Sequence, residues 1–159
     1  MPTIVLSTTI GAPIERVFDL ARSIELHTNS TSSTGERAIA GVTSGLISLD
    51  QEVTWRARHF ALWQTLTVRI TAFERPTYFA DEMQRGAFRR MVHHHHFEPF
   101  RTDTIMRDEF TFESPLGLLG RVVDAVVLTP YLRAFLVERN RVIKATAECD
   151  GWKGYLPTG

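Results

Sequence analysis

The sequence predicts an α+β domain in which an antiparallel sheet of about seven strands curls around one long C-terminal helix, with one or two short helices after strand 1. Three observations carry this. Through most of Glu36 to Glu113 apolar and polar residues alternate with period two, the signature of half-buried strands. After Ser114-Pro115-Leu116-Gly117 the period lengthens to that of a helix and holds for roughly seven turns. Ahead of both, a β-branched segment runs into a helical stretch opened by a proline.

Taken in order, Thr3 to Ile10 is rich in β-branched residues and stops at Gly11, which makes it strand 1. Pro13 opens the next segment, where Ile14, Val17, Phe18 and Ala21 recur at helical spacing. Ser23 to His27 adds a turn before a polar loop from Thr28 to Gly35. Arg37 to Ala40 and Gly45 to Leu49 read as short strands. Val53, Trp55, Ala57 and His59 then alternate with Thr54, Arg56 and Arg58, a turn follows near Phe60 to Leu62, and Leu66, Val68 and Ile70 alternate on the return. Pro76 marks another turn, Tyr78 to Arg85 is a strand broken by Gly86, and Phe88 to Phe97 forms a hairpin with Thr104 to Glu113. In the last helix Leu119, Val122, Val123, Val126, Val127, Tyr131, Phe135, Leu136, Arg139, Val142 and Ile143 recur at three- and four-residue steps. Pro130 lacks a backbone donor and crowds the carbonyl four residues back, so a bend is expected between Val126 and Pro130. Residues 1–148 make one domain, and 149–159 is expected to be a loose tail.

A chain of 159 residues, 43% of them apolar, buries one core of ordinary size and needs no second domain. Its 18 basic residues balance 18 acidic ones, which removes the long-range attraction to nucleic acid or an anionic membrane. Cys149 is the single cysteine, so neither an internal disulfide nor a thiolate metal cage is available. The N-terminal residues lack the basic and long apolar parts of a secretory signal, and no apolar run is long enough to cross a bilayer. Membrane insertion is not expected, and the cytoplasm is the expected location.

Four consecutive histidines, His93 to His96, interrupt the strand Met91 to Phe97. Successive side chains on a strand face opposite sides, so at most two of the four share a face. Met91, His93, His95 and Phe97 form one such set, two imidazoles between large apolar groups. That is unusual for a dry packed surface. Either the face looks into a wet cavity, or the histidines are amphipathic filler at a sheet edge.

Several short motifs stand in one order: Glu52-Val53-Thr54-Trp55-Arg56-Ala57-Arg58-His59-Phe60, Phe73-Glu74-Arg75-Pro76, Gly86-Ala87-Phe88, and His93-x-His95-x-Phe97-Glu98. They are followed by Asp103-Thr104-x-Met106-x-Asp108, Pro115-Leu116-Gly117-x-x-Gly120, and Arg139 late in the final helix. In this order the chain resembles bacterial ligand-binding members of the SRPBCC superfamily, the group of START, polyketide cyclase/aromatase and pollen-allergen-like domains. The resemblance covers nearly all of residues 1–148. It implies a helix-grip fold, with the sheet clasping the C-terminal helix and a deep hydrophobic pocket between them. No single reaction follows, because fold alone does not determine chemistry. The extra histidines His94 and His96, and Pro130 in the long helix, depart from the pattern.

Large apolar groups recur beside Trp55, Ala57 and His59, along Met91 to Phe97, and beside Thr104, Met106, Asp108 and Phe110, so all three faces are assigned to the concave side. An apolar cavity with a few polar groups is the usual constitution of a small-molecule site. The expected ligand-binding set is Trp55, His59, Phe79, Met83, Met91, His93, His95, Phe97, Met106, Asp108 and Phe110, with core packing a competing role for the aromatic and sulfur-bearing members. Trp63 and Phe88 are weighed in the same way.

Several readings of the polar groups are open. His93, His95 and Asp108 satisfy one another as an internal network. Alternatively, Asp108 fixes the tautomer of one histidine, whose other nitrogen orients a ligand carbonyl or hydroxyl. In a catalytic reading, His93 or His95 abstracts a proton beside a carbonyl and its neighbour or Asp108 returns it. A metal reading would use His59, His93, His95 and Asp108, but spacing does not bring the third histidine to the other two, and neither a metal nor another cofactor is expected. Arg139 either buries its stem and pairs a carboxylate such as Asp81 or lies on the surface. No nucleophile elbow or phosphate-binding glycine loop occurs.

The leading expectation is a carrier or sensor for one small hydrophobic molecule: a lipid, polyketide, isoprenoid or aromatic compound. The alternative is a cofactor-independent polyketide cyclase or dehydratase built on a His/Asp proton-transfer pair. A third reading is a filled domain that pairs through its strand edges; the chain is expected to be a monomer or a homodimer.

Overall fold

The alternating segments become seven strands: β1 (Thr3–Ile10), β2 (Arg37–Gly41), β3 (Glu52–His59), β4 (Leu62–Glu74), β5 (Tyr78–Arg85), β6 (Arg90–Phe100) and β7 (Asp103–Glu113). A computed structural model describes residues 1–158. The strands form one sheet in the order β1-β7-β6-β5-β4-β3-β2, with every neighbouring pair antiparallel. Short loops join β3 through β7 as a meander, a longer connection over 42–51 brings in β2, and β1 adds to the β7 edge. Register shifts between Ala38 and Ala40 in β2, and at Thr67/Val68 and Ile70/Ala72 in β4, are bulges that add local twist. At Gly41 φ is +73°, and an added Cβ would stand 2.2 Å from the Glu52 carbonyl oxygen. Only glycine closes that end of β2 onto β3.

Between β1 and β2 run α1 (Ile14–Ala21) and α2 (Ile24–Ser30). The first buries Val17, Phe18, Leu20 and Ala21; the second is capped by Ser23, whose Oγ accepts the Leu26 amide. Phe18 meets Phe73, Phe79 and Phe97 edge to face at 5.4, 5.4 and 5.2 Å, so α1 plugs one end of the concave sheet. The helical period after β7 yields α3 (Gly117–Val123), a π turn over Asp124–Leu128, and α4 (Thr129–Ala147). The interruption falls where Pro130 denies a donor to the Val126 carbonyl. Leu136, Arg139, Asn140, Ile143 and Ala147 make the buried face of α4.

Two expectations need correction. Gly45 to Leu49 forms no strand: Ser23 and Leu46 share an isolated bridge, and the segment leans on α2 because the Glu25 carboxylate accepts the Gly45 amide. The tail beyond 148 is not loose through 156, since Asp150–Gly154 is a 3-10 helix and Trp152, Tyr155 and Leu156 pack against the core. Arg16 lies 4.4 Å above the Trp152 ring, which anchors the segment to α1. Among the described residues, no helix is long and apolar enough to cross a membrane.

Candidate functional site

Alternation along β6 sends Met91, His93, His95 and Phe97 inward, all buried, and turns His94 and His96 to the outer face. There Tyr78 donates to or accepts from His94 Nδ1 at 2.8 Å and stacks on His96. On the inner face, register places Asp81 of β5 opposite His93, and Asp108 of β7 opposite His95. Two carboxylates therefore flank two imidazoles on three adjacent strands.

The hydrogen bonds form a closed array. Asp108, fully buried, accepts from His93 Nε2 at 3.0 Å and from His95 Nδ1 at 2.9 Å on one oxygen, and from Asn140 Nδ2 at 2.6 Å on the other. His95 Nε2 donates to Asp81 Oδ2 at 3.0 Å. Arg139 lies 3.6 Å from Asp108 and donates to the Asn140 side chain and to the Ala21 carbonyl at the end of α1. Burial pushes the Asp108 carboxyl up, but the hydrogen bonds from His93 and His95 outweigh it and hold the group well below the usual carboxylate range. Asp81 is likewise lowered: burial raises it, and the hydrogen bond from His95 more than compensates. With both carboxylates ionised, both ring nitrogens of His95 must donate, which only the imidazolium supplies. Asp81, Asp108, His95 and Arg139 then sum to zero charge, which is how so many ionic groups remain under cover. His93 is pushed down to about 4, first by burial and then by the neighbouring His95 charge, and is neutral. Its Nε2–H points to Asp108, leaving the Nδ1 lone pair free.

Above this floor, between the sheet and α4, lies a cavity of about 390 Å³. Its walls are mainly apolar: Trp55 and Ala57 from β3, Phe79 from β5, Met91 from β6, Phe110 from β7, and Leu132, Phe135 and Leu136 from α4. Asp81, His93, His95 and Arg139 are exposed to it on one side. A second polar group, from His27, Glu36, His59 and Tyr131, also lines the cavity. His59 Nδ1 and the Tyr131 hydroxyl are hydrogen-bonded at 2.7 Å, and buried Glu36 stands 3.5 Å from His27 Nε2. Burial lowers His59, and the Glu36 charge only partly restores it.

Of the residues expected at the site, Trp55, His59, Phe79, Met91, His93, His95 and Phe110 line the cavity. Met83, Phe97, Met106 and Asp108 do not. Phe97 and Met106 face each other in the register at the end plugged by Phe18, so their surface is consumed by packing. Met83 packs at the cavity's margin against the Gly86 turn. Asp108 sits beneath the histidines and holds them rather than facing the hollow. The metal set considered from sequence also changes: His59 is engaged with Tyr131, whereas Asp81, His93 and His95 bring ligand-capable atoms within 4.8 Å of one another.

Asp81, Asn140, Glu36 and Tyr131 were absent from the expected set, and Arg139 pairs Asp108 rather than Asp81. For Asp81 the signal was present, since it lies midway between Phe79 and Met83 at strand spacing. Asn140 carried one too, falling four residues after Leu136 and three before Ile143 on the buried row of its helix.

No family model matches the chain, and no curated protein does either. Solved structures do. A protein of Thermus thermophilus superposes with a TM-score of 0.71 at 16% identity, covering 92% of this chain and 99% of that one. The major latex-like protein 151 of Panax ginseng follows at 0.68 and 18%, covering 92% and 97%. A START superfamily protein of Mycobacterium smegmatis gives 0.68 at 11%, again covering 92% and 97%. Likeness at these identities is a likeness of architecture, and the sheet, its order and the clasped C-terminal helix give this chain the START-like helix-grip fold.

Proposed function

We propose that the chain is a single ligand-binding domain that encloses one small hydrophobic molecule, as a carrier or sensor, with a polar group of the guest held at the His93 side of the cavity. The observation that carries this reading is the cavity itself, which falls in the lower part of the roughly 300–1,000 Å³ range typical of ligand pockets and is mainly apolar in its walls. A lipid, polyketide, isoprenoid or aromatic compound suits it. Removing apolar surface from water provides the affinity, at about 25 cal/mol per Å². The free Nδ1 of His93 accepts a hydrogen bond from a hydroxyl of the guest, which sets its orientation.

The alternative, a cofactor-independent cyclase or dehydratase, asks for a base positioned against the substrate and tuned near working pH. His95 has both nitrogens committed to carboxylates, and Asp108 is shielded from the hollow. His93 alone is free, and at about 4 it is a weak base. These points favour holding a guest over transforming it.

Native mass spectrometry of the purified protein tests the reading directly. A retained small molecule is expected, together with its loss in Ala57→Trp, which fills the hollow from β3 without touching the polar floor. If nothing is retained and no fatty acid, isoprenoid or aromatic polyketide binds, the reading fails. Turnover of a polyketide substrate that disappears in His93→Ala would support the alternative.

A further inference from the structure

We propose that Asp81, His93 and His95 form a binding site for one divalent transition-metal ion at the floor of the cavity, with Asp108 orienting both imidazoles from behind. The ion's ligands come from protein alone, so its binding is testable without the apolar guest; with the ion in place, His93 Nδ1 is a ligand, and a guest hydroxyl meets the ion instead of that nitrogen.

Three features carry it. First, neighbouring strands converge two nitrogens and a carboxylate oxygen to within 4.8 Å. Bonds of about 2.0–2.1 Å in a tetrahedral site require donor separations of roughly 3.4 Å. His95 Nε2 and Asp81 Oδ2 already stand 3.0 Å apart, so any wider separation is to His93, and Asp81, with 17% side-chain exposure, is the least confined of the three.

Second, histidines that bind metals almost always donate their other ring N–H to a carboxylate or carbonyl, which fixes the ring. Here one Asp108 oxygen accepts from Nε2 of His93 and from Nδ1 of His95. The nitrogens left for an ion are Nδ1 of His93 and Nε2 of His95. Asp108 is in turn held by Asn140 and Arg139, so the rings cannot swing without breaking a buried array.

Third, the charges accommodate a dication. Asp81 and Asp108 supply two negative charges against one from Arg139. In the present arrangement a proton on His95 Nε2 bridges to Asp81 at 3.0 Å, and the ion takes that proton's place. Two imidazoles and one carboxylate, with no thiolate, suit Zn²⁺, Co²⁺, Ni²⁺ or Fe²⁺ rather than Ca²⁺ or Mg²⁺. Three protein ligands leave a coordination position directed at the cavity, open to water or to an oxygen atom of a guest.

Protein stripped with a chelator and titrated with Zn²⁺ by calorimetry is expected to bind one ion per chain, and Co²⁺ to give the visible absorption of a low-coordinate site. Asp81→Asn, which preserves an acceptor for His95, is expected to abolish that binding, and Asp108→Asn to weaken it by about 10–100-fold. Circular dichroism confirms that each variant is folded; should Asp108→Asn unfold, Asp81→Asn decides alone. The double variant His94→Ala/His96→Ala removes only the outward imidazoles and is expected to leave affinity unchanged. The proposal is overturned if no ion binds, if Asp81→Asn binds as well as the parent, or if binding is lost with His94 and His96, which would place the ion on the outer face.

Discussion

At the scale of single residues, Asp108 bears the greatest demand, since two imidazoles, an amide and a guanidinium converge on one carboxylate. Removing one member of a buried ionic array leaves the others uncompensated, at a cost of about 3–5 kcal/mol. Asp108→Ala is accordingly expected to lower the urea midpoint by that equivalent, whereas His94→Ala, on the outer face beside Tyr78, is expected to cost well under about 1 kcal/mol. The side chains that sequence reasoning located best were those whose role follows from alternation: Trp55, His93, His95 and Phe110 all lie on the inner face it assigns. Phe97 and Met106 obey the same alternation yet miss the cavity, because an inward direction says nothing about what packs on top, and Phe18 arrives from a different segment. Asn140 escaped notice for a related reason. Helical spacing puts it on the buried row of α4, but its partner Asp108 comes from β7, a pairing with no trace in local pattern.

Among the elements, the C-terminal helix is the most instructive. Its break was legible from Pro130, and the π turn over Asp124–Leu128 is how the chain absorbs a missing donor without ending the helix. Pro130→Ala restores that donor, and hydrogen exchange at the amides of 124–128 is expected to slow. The short segment Gly45 to Leu49 shows the opposite case, where an apolar run of strand-like composition is captured by a carboxylate on α2 before any strand can claim it. At Gly41, backbone conformation and contact agree on the residue. Gly41→Ala would force a Cβ against the Glu52 carbonyl at an unfavourable φ, so the β2–β3 edge is expected to fray, visible as faster exchange of the Val42 amide, which bonds to that carbonyl.

For the molecule as a whole, the two short helices matter because they hold connections of the sheet, α1 the β4–β5 turn and α2 the segment between β2 and β3. Asp19 of α1 accepts from Arg75 at the β4–β5 turn and from Arg22, and although burial raises its carboxyl, these hydrogen bonds and charges bring it below the ordinary value. A carboxyl lowered on folding contributes stability above its unfolded pKa and loses it as pH falls through the folded one. Denaturation in urea between about pH 5 and pH 2 is therefore expected to show a decline in stability that is shallower in Asp19→Asn. A bound guest at about 100 times its dissociation constant adds about 2.7 kcal/mol, so the thermal midpoint is expected to rise with apolar ligand in the parent and not in Ala57→Trp. The architecture was readable from periodicity because each element's hydrophobic spacing agrees with the fold. The hollow was expected but not measurable in advance, since its volume depends on how far α4 stands from the strands.

Four identical side chains in a row carry no address of their own. Shift β6 by one step and a pair of imidazoles still points inward, now His94 and His96. What forbids the shift is the frame around them: it would draw Arg90 and Glu98 into the interior and expel Met91 and Phe97. The polar floor thus owes its alignment to greasy neighbours that never touch its chemistry, and mutating those bookends would scramble which histidines meet the carboxylates while leaving every histidine in place.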